Sequence, residues 1–79
     1  MEGKEKEIFD LLVEKYPEIV TDRFEAEDLS FEINKLFKRN ECGKRGLEAD
    51  IIFLLNEKGK SVLDSNNGRE FLDSLLELC

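Results

Sequence analysis

Histidine and tryptophan are missing from this 79-residue chain, and proline and methionine occur once each. Without histidine, the commonest general base and metal ligand near neutral pH is gone. The only cysteines, Cys42 and Cys79, form no C-x-x-C pair and have no histidine to join them, which argues against a zinc site. No run of about 18 apolar residues exists, so no transmembrane helix is expected. The charged start, Met1 to Lys6, leads into a helix-period stretch and not into the apolar centre of a signal peptide. Glycine-rich phosphate loops and the Gly-x-Ser-x-Gly elbow are lacking. The hydroxyls of Thr21, Ser30, Ser61, Ser65 and Ser74 therefore have no partner base. One calcium-loop spacing comes close, in Asp64, Asn66 and Gly68. Its glycine falls at the fifth place where an EF-hand needs the sixth, and Leu75 stands where the bidentate glutamate should be. No enzyme, metal or cofactor is expected.

Charge is what the chain has in quantity. Charged residues make up 39% of it and the formal net charge is −7, a field that disfavours nucleic acid and anionic lipid at long range. The sign is unevenly spread. Lys35, Lys38, Arg39, Lys44 and Arg45 crowd residues 35–45 against Glu41 alone. An acidic front, Glu25, Glu27, Asp28 and Glu32 with Glu14 and Glu18, precedes them. Two free thiols in a reducing cytoplasm are expected. Lys44 and Arg45 beside Cys42 would favour its thiolate, the chemical route to a redox sensor.

The hydrophobic set is 41% of the chain, which fits one small globular domain over residues 1–79. At this size all six phenylalanines and most leucines are expected inside. Helix one carries Ile8, Phe9, Leu11, Leu12, Val13 and Tyr16 at helical spacing and stops before Pro17, with Ile19-Val20 as an extended link. Asp22 and Glu25 have the offset of a capping box, opening helix two, roughly Glu25 to Arg39, with the stripe Leu29, Ile33, Leu36 and Phe37. Its acids lie early and its bases late, as the helix dipole favours. Asn40 to Gly46 reads as a loop. Helix three, about Leu47 to Lys58, is apolar on most sides and is expected at the centre of the core. Gly59 follows as a left-handed cap. After it, Ser61-Val62-Leu63-Asp64 and Arg69-Glu70-Phe71-Leu72 form either a minimal hairpin on the Asn67-Gly68 turn or, for Arg69 to Leu78, a fourth helix supported by Phe71/Leu75 and Leu72/Leu76. The expected fold is mainly α: a three-helix core plus one of these endings.

Some segments are similar to winged-helix domains. Phe24-Glu25-Ala26-Glu27-Asp28-Leu29-Ser30 resembles the opening of their second helix. Leu54-Leu55-Asn56-Glu57-Lys58-Gly59-Lys60 resembles the end of their third, where leucines precede a Lys-Gly step into the wing. The wing strands would be Ser61-Val62-Leu63-Asp64 and Arg69-Glu70-Phe71-Leu72, and Phe71-Leu72-Asp73-Ser74 resembles the close of the DEP subclass. The resemblance covers residues 5–72 and implies that helix three is the reading helix. That helix would offer Glu48, Asp50 and Glu57 against Lys58, and the wing only Lys60 and Arg69. Carboxylates near phosphates repel, so protein binding is expected over DNA binding.

Two functions follow as expectations. The first is a non-enzymatic adaptor or small inhibitor that docks its acidic face, Glu25, Glu27, Asp28 and Glu32, on a basic protein. The alternative is a winged-helix nucleic-acid regulator that holds phosphate with Lys35, Lys38, Arg39, Lys44 and Arg45. A homodimer through helix four is a third arrangement.

Overall fold

The computed structural model describes residues 3–17, 19–20, 22–59 and 66–79, and all its regular structure is helical. Helix α1, Gly3–Asp10, runs directly into a π-helical turn, Leu11–Lys15; α2 is Arg23–Arg39, α3 is Lys44–Glu57 and α4 is Asn66–Leu78. Among the described residues the helices pack in chain order, α1 on α2, α2 on α3, α3 on α4, and α4 closes back on α1. The core is the centre of that ring, and α3 is one wall of it, not its middle.

Fifteen of the described apolar side chains fill the centre. Ile8, Leu12 and Tyr16 come from the first rod, Ala26, Leu29, Ile33 and Phe37 from α2, Leu47, Ile51 and Leu55 from α3, and Phe71, Leu72 and Leu75 from α4, with Phe9 and Val20 completing the set. The π turn accounts for the first of these stripes. In an α-helix, residues four apart drift by about 40° per step. The wider turn, closed by Tyr16 N–H donating to Leu11 O at 3.2 Å, cancels part of that drift and keeps Tyr16 over Leu12. Val13, which the sequence pairs with Phe9, is left facing solvent. Past Pro17 the chain turns instead of extending, with Ile19 N–H donating to Tyr16 O at 3.1 Å. Tyr16 packs edge-on against Phe71 at 5.3 Å between ring centres, and its hydroxyl lies 3.3 Å from Ser74 Oγ, joining the first helix to the last.

Several expectations are corrected here. Arg69 to Leu72 is helical, so the second wing strand is absent and the fourth helix is present. Ser61 to Asp64 lies outside the described residues. On α4, Phe71, Leu72 and Leu75 are fully covered by the core, while Leu76 and Leu78 are half-buried at its margin. Of the six phenylalanines only Phe9, Phe37 and Phe71 are buried. Asn66 and Gly68, weighed as a calcium loop, sit in the first turn of α4.

The segment Asn40 to Gly46 is shorter as a loop than its composition suggests, because α3 begins at Lys44. Neither Gly43 nor Gly46 makes the reversal. Glu41 and Cys42 do, at φ 50° and 60°, a left-handed pair that costs on the order of 1 kcal/mol per residue. Three contacts hold it there. Cys42 N–H reaches Phe37 O at 3.2 Å and Gly43 N–H reaches Asn40 O at 2.8 Å. Cys42 is also disulfide-bonded to Cys79, with Cα atoms 5.5 Å apart. The free-thiol expectation is therefore overturned. The pairing depends on where α4 ends, which the sequence pattern around either cysteine does not encode, and with the sulfur bonded the thiolate route to redox sensing is closed. A Cβ at Gly46 would stand 2.8 Å from Asn40 Oδ1, so a larger residue there has to displace the Asn40 side chain.

Two stability outcomes follow. Cys42→Ser opens a bond that spans 37 residues of sequence, and the expected loss is about 4 kcal/mol. Urea unfolding with and without reductant reads this directly, and the variant should match the reduced wild type. Gly59 has φ 75°, and a Cβ added there would meet nothing within 4 Å. Gly59→Ala should therefore cost about 1 kcal/mol in thermal or urea unfolding, from backbone conformation alone.

Candidate functional site

Helices α2 and α3 form an antiparallel pair fastened at both ends. At one end Asn40 Nδ2 donates to Leu36 O at 2.9 Å and to Asp50 Oδ2 at 3.0 Å. At the other, Lys58 Nζ lies 3.1 Å from Glu32 Oε2. That oxygen is buried without a hydrogen bond of good geometry, so the ammonium supplies charge compensation more than direction. Asp22 opens α2 as its N-cap, accepting from Phe24 N–H at 2.9 Å, and Lys38 and Arg39 occupy its last turn. Asp22 is thus the expected cap residue, though it bonds the second amide of the helix and not the third as in a capping box, and the dipole-matched charges are present.

Between the two fastenings lies an open groove of about 380 Å³. Its apolar lining is Leu36, Leu54 and Phe53. Its rim brings Lys35 and Arg39 together with Glu32, Asp50 and Glu57. The basic spot is thereby divided. Two of its members face three carboxylates, Arg45 stands on the first turn of α3, and Lys38 points to the exposed side of α2. Arg69, assigned to the wing, instead donates to Glu48 Oε1 at 2.8 Å and so ties α4 to α3. The acidic front also separates. Glu32 belongs to the groove, Glu27 and Asp28 are exposed on α2, Glu25 is half-buried, Glu14 is exposed on the first rod, and Glu18 lies outside the described residues.

Composition alone does not reveal the aromatics on this side. Phe24, Phe31 and Phe53 are 78%, 52% and 64% exposed. Phe24 and Phe31 are seven residues apart and share one face of α2, opposite Leu29, Ile33 and Phe37. That spacing is in the sequence and is the signal that could have found them. Lys35 Nζ sits 5.3 Å from the Phe31 ring centre, a cation–π contact at the edge of the groove. The described residues contain no group of three acids or cysteines placed to hold a metal.

Comparison with protein-family models, with curated proteins and with solved structures finds no match for this chain. The winged-helix resemblance accordingly rests on short sequence segments alone, one of which, Arg69 to Leu72, is helical.

The three outer phenylalanines should be dispensable for folding. Phe24→Ala, Phe31→Ala and Phe53→Ala are each expected to change the unfolding free energy by less than about 0.5 kcal/mol. Phe71→Ala, in the closed centre, should cost about 3–5 kcal/mol. Chemical denaturation of the four variants makes the comparison.

Proposed function

We propose that the protein is a non-catalytic docking module, an adaptor or small inhibitor, that engages another protein through the outer side of α2 and the groove it shares with α3. The observation that carries this is the exposure of Phe24, Phe31 and Phe53 on a domain whose centre is complete without them. A soluble surface gains nothing from three large aromatics on one side, whereas aromatic anchors in a charged rim are the usual energetic centre of a protein interface. Glu27 and Asp28 beside Phe24 favour a partner with basic residues next to an apolar one. Nucleic acid is the poorer fit, since Lys35 and Arg39 share their groove with Glu32, Asp50 and Glu57.

No described helix is long and apolar enough to cross a membrane. A cytoplasmic setting suits two free thiols; with the bridge in place it requires an interior that keeps disulfides oxidised, which few cytosols do.

The test immobilises wild type and a Phe24→Ser, Phe31→Ser double variant and compares the proteins each retains from the native source. The proposal predicts that specific retention drops at least about tenfold in the variant and weakens with salt. Equal retention by both would refute it. So would tight binding of duplex DNA at physiological salt that is abolished by Lys38→Glu and Arg39→Glu.

A further inference from the structure

The exposed side of α2 is complementary to itself. Phe24, Glu27, Asp28, Phe31, Lys35 and Lys38 are all exposed and lie in one stripe along the helix. Phe31 stands near its middle. Acids occupy the half before it, and bases the half after it. At about 1.5 Å per residue, Asp28 is about 5 Å to one side of Phe31 and Lys35 about 6 Å to the other, while Phe24 and Lys38 are both about 10 Å away. Turning a second α2 end for end about an axis at Phe31 therefore sets ring against ring at the centre. It also sets Asp28 against Lys35 of the second copy, Glu27 near Lys38 of the second copy, and each of these pairs occurs twice.

We infer that the partner this face takes is a second copy of the chain, joined through antiparallel α2 helices about a two-fold axis at Phe31. The inference rests on the docking reading of this face and adds the identity of the occupant. Charge complementarity selects that occupant. The acidic half asks for a basic, partly apolar surface of matching length, and the same helix carries one. The helix is 17 residues long, about 25 Å, in a molecule whose largest extent is 28 Å, so its exposed stripe is long for a domain of this size. Lys35 already covers one face of the Phe31 ring, which leaves the other face for its counterpart. A one-helix-wide contact with exposed ion pairs is at the small end of stable interfaces, so a dissociation constant of roughly micromolar order and a clear salt dependence are expected.

Sedimentation equilibrium of the intact, oxidised protein supplies the test, using the two single variants Asp28→Lys and Lys35→Asp. In a two-fold dimer, Asp28→Lys opposes lysine to lysine twice, and Lys35→Asp opposes aspartate to aspartate twice. Each variant alone should dimerise at least about tenfold more weakly than wild type. Mixed in equal amounts they should form a heterodimer within about threefold of the wild-type affinity, because both charge pairs are restored. Neither site is buried, and unchanged thermal unfolding of each variant confirms folding. Wild type that stays monomeric at several hundred micromolar and low salt overturns the inference. A mixture that associates no better than its components does so too. Should wild type be monomeric while the phenylalanine double variant still loses a captured protein, the second-copy assignment fails and the docking face stands. Should wild type dimerise equally well with or without Phe24 and Phe31, the pairing about Phe31 fails.

Discussion

Burial of fifteen apolar side chains at the centre of a four-helix ring is the interaction on which the rest of this molecule depends. A domain of this size keeps only about 4–12 kcal/mol of net stability, so few of those side chains are dispensable. Each helix gives the centre one narrow stripe of about three or four residues, spaced mostly three or four apart. The π turn at Leu11–Lys15 keeps Tyr16 within its stripe, and the lack of a side chain at Gly46 leaves room for Asn40 across the start of α3. Once the stripes meet, no room remains for the three other phenylalanines.

The end of α2 shows how local cost is balanced by distant contacts. Two left-handed residues, Glu41 and Cys42, reverse the chain without a glycine at either position. They persist because Asn40 anchors the helix end to Asp50 and because the bridge from Cys42 to Cys79 ties the reversal to the residue that follows α4. The fixed reversal sets α2 against α3 in register, which aligns Glu32 with Lys58 and opens the groove between them. The candidate site is thus a consequence of how the core closes: the helix pair with a polar contact at each end presents the aromatics that the core leaves out.

Much of this is legible in the sequence, and what is not has identifiable causes. The stripes of α2 and α4, the Asp22 cap, the stop at Pro17 and the left-handed Gly59 are local signals, and they appear in the structure. The fate of Arg69 to Leu72 is less local, because two charged and two apolar residues next to Asn-Gly suit a hairpin or a helix until packing against α3 and α1 chooses. The disulfide is less local still, since it joins residues brought together only by the finished ring. The exposed aromatics run against a rule of composition, that a small domain needs every phenylalanine inside. Helical spacing contradicts that rule at Phe24 and Phe31, which lie across α2 from Ile33, and at Phe53, which lies across α3 from Ile51.

The central claim is that the core closes without Phe24, Phe31 and Phe53, leaving them as a binding face. Fluorine NMR of dilute protein labelled uniformly with fluorophenylalanine, in the presence of a soluble paramagnetic agent, measures this ring by ring. Three of the six resonances should be strongly relaxed and three protected, with assignment by single substitution giving Phe24, Phe31 and Phe53 as the relaxed set. Uniform protection of all six would mean that these rings belong to the core, and the docking face would not exist.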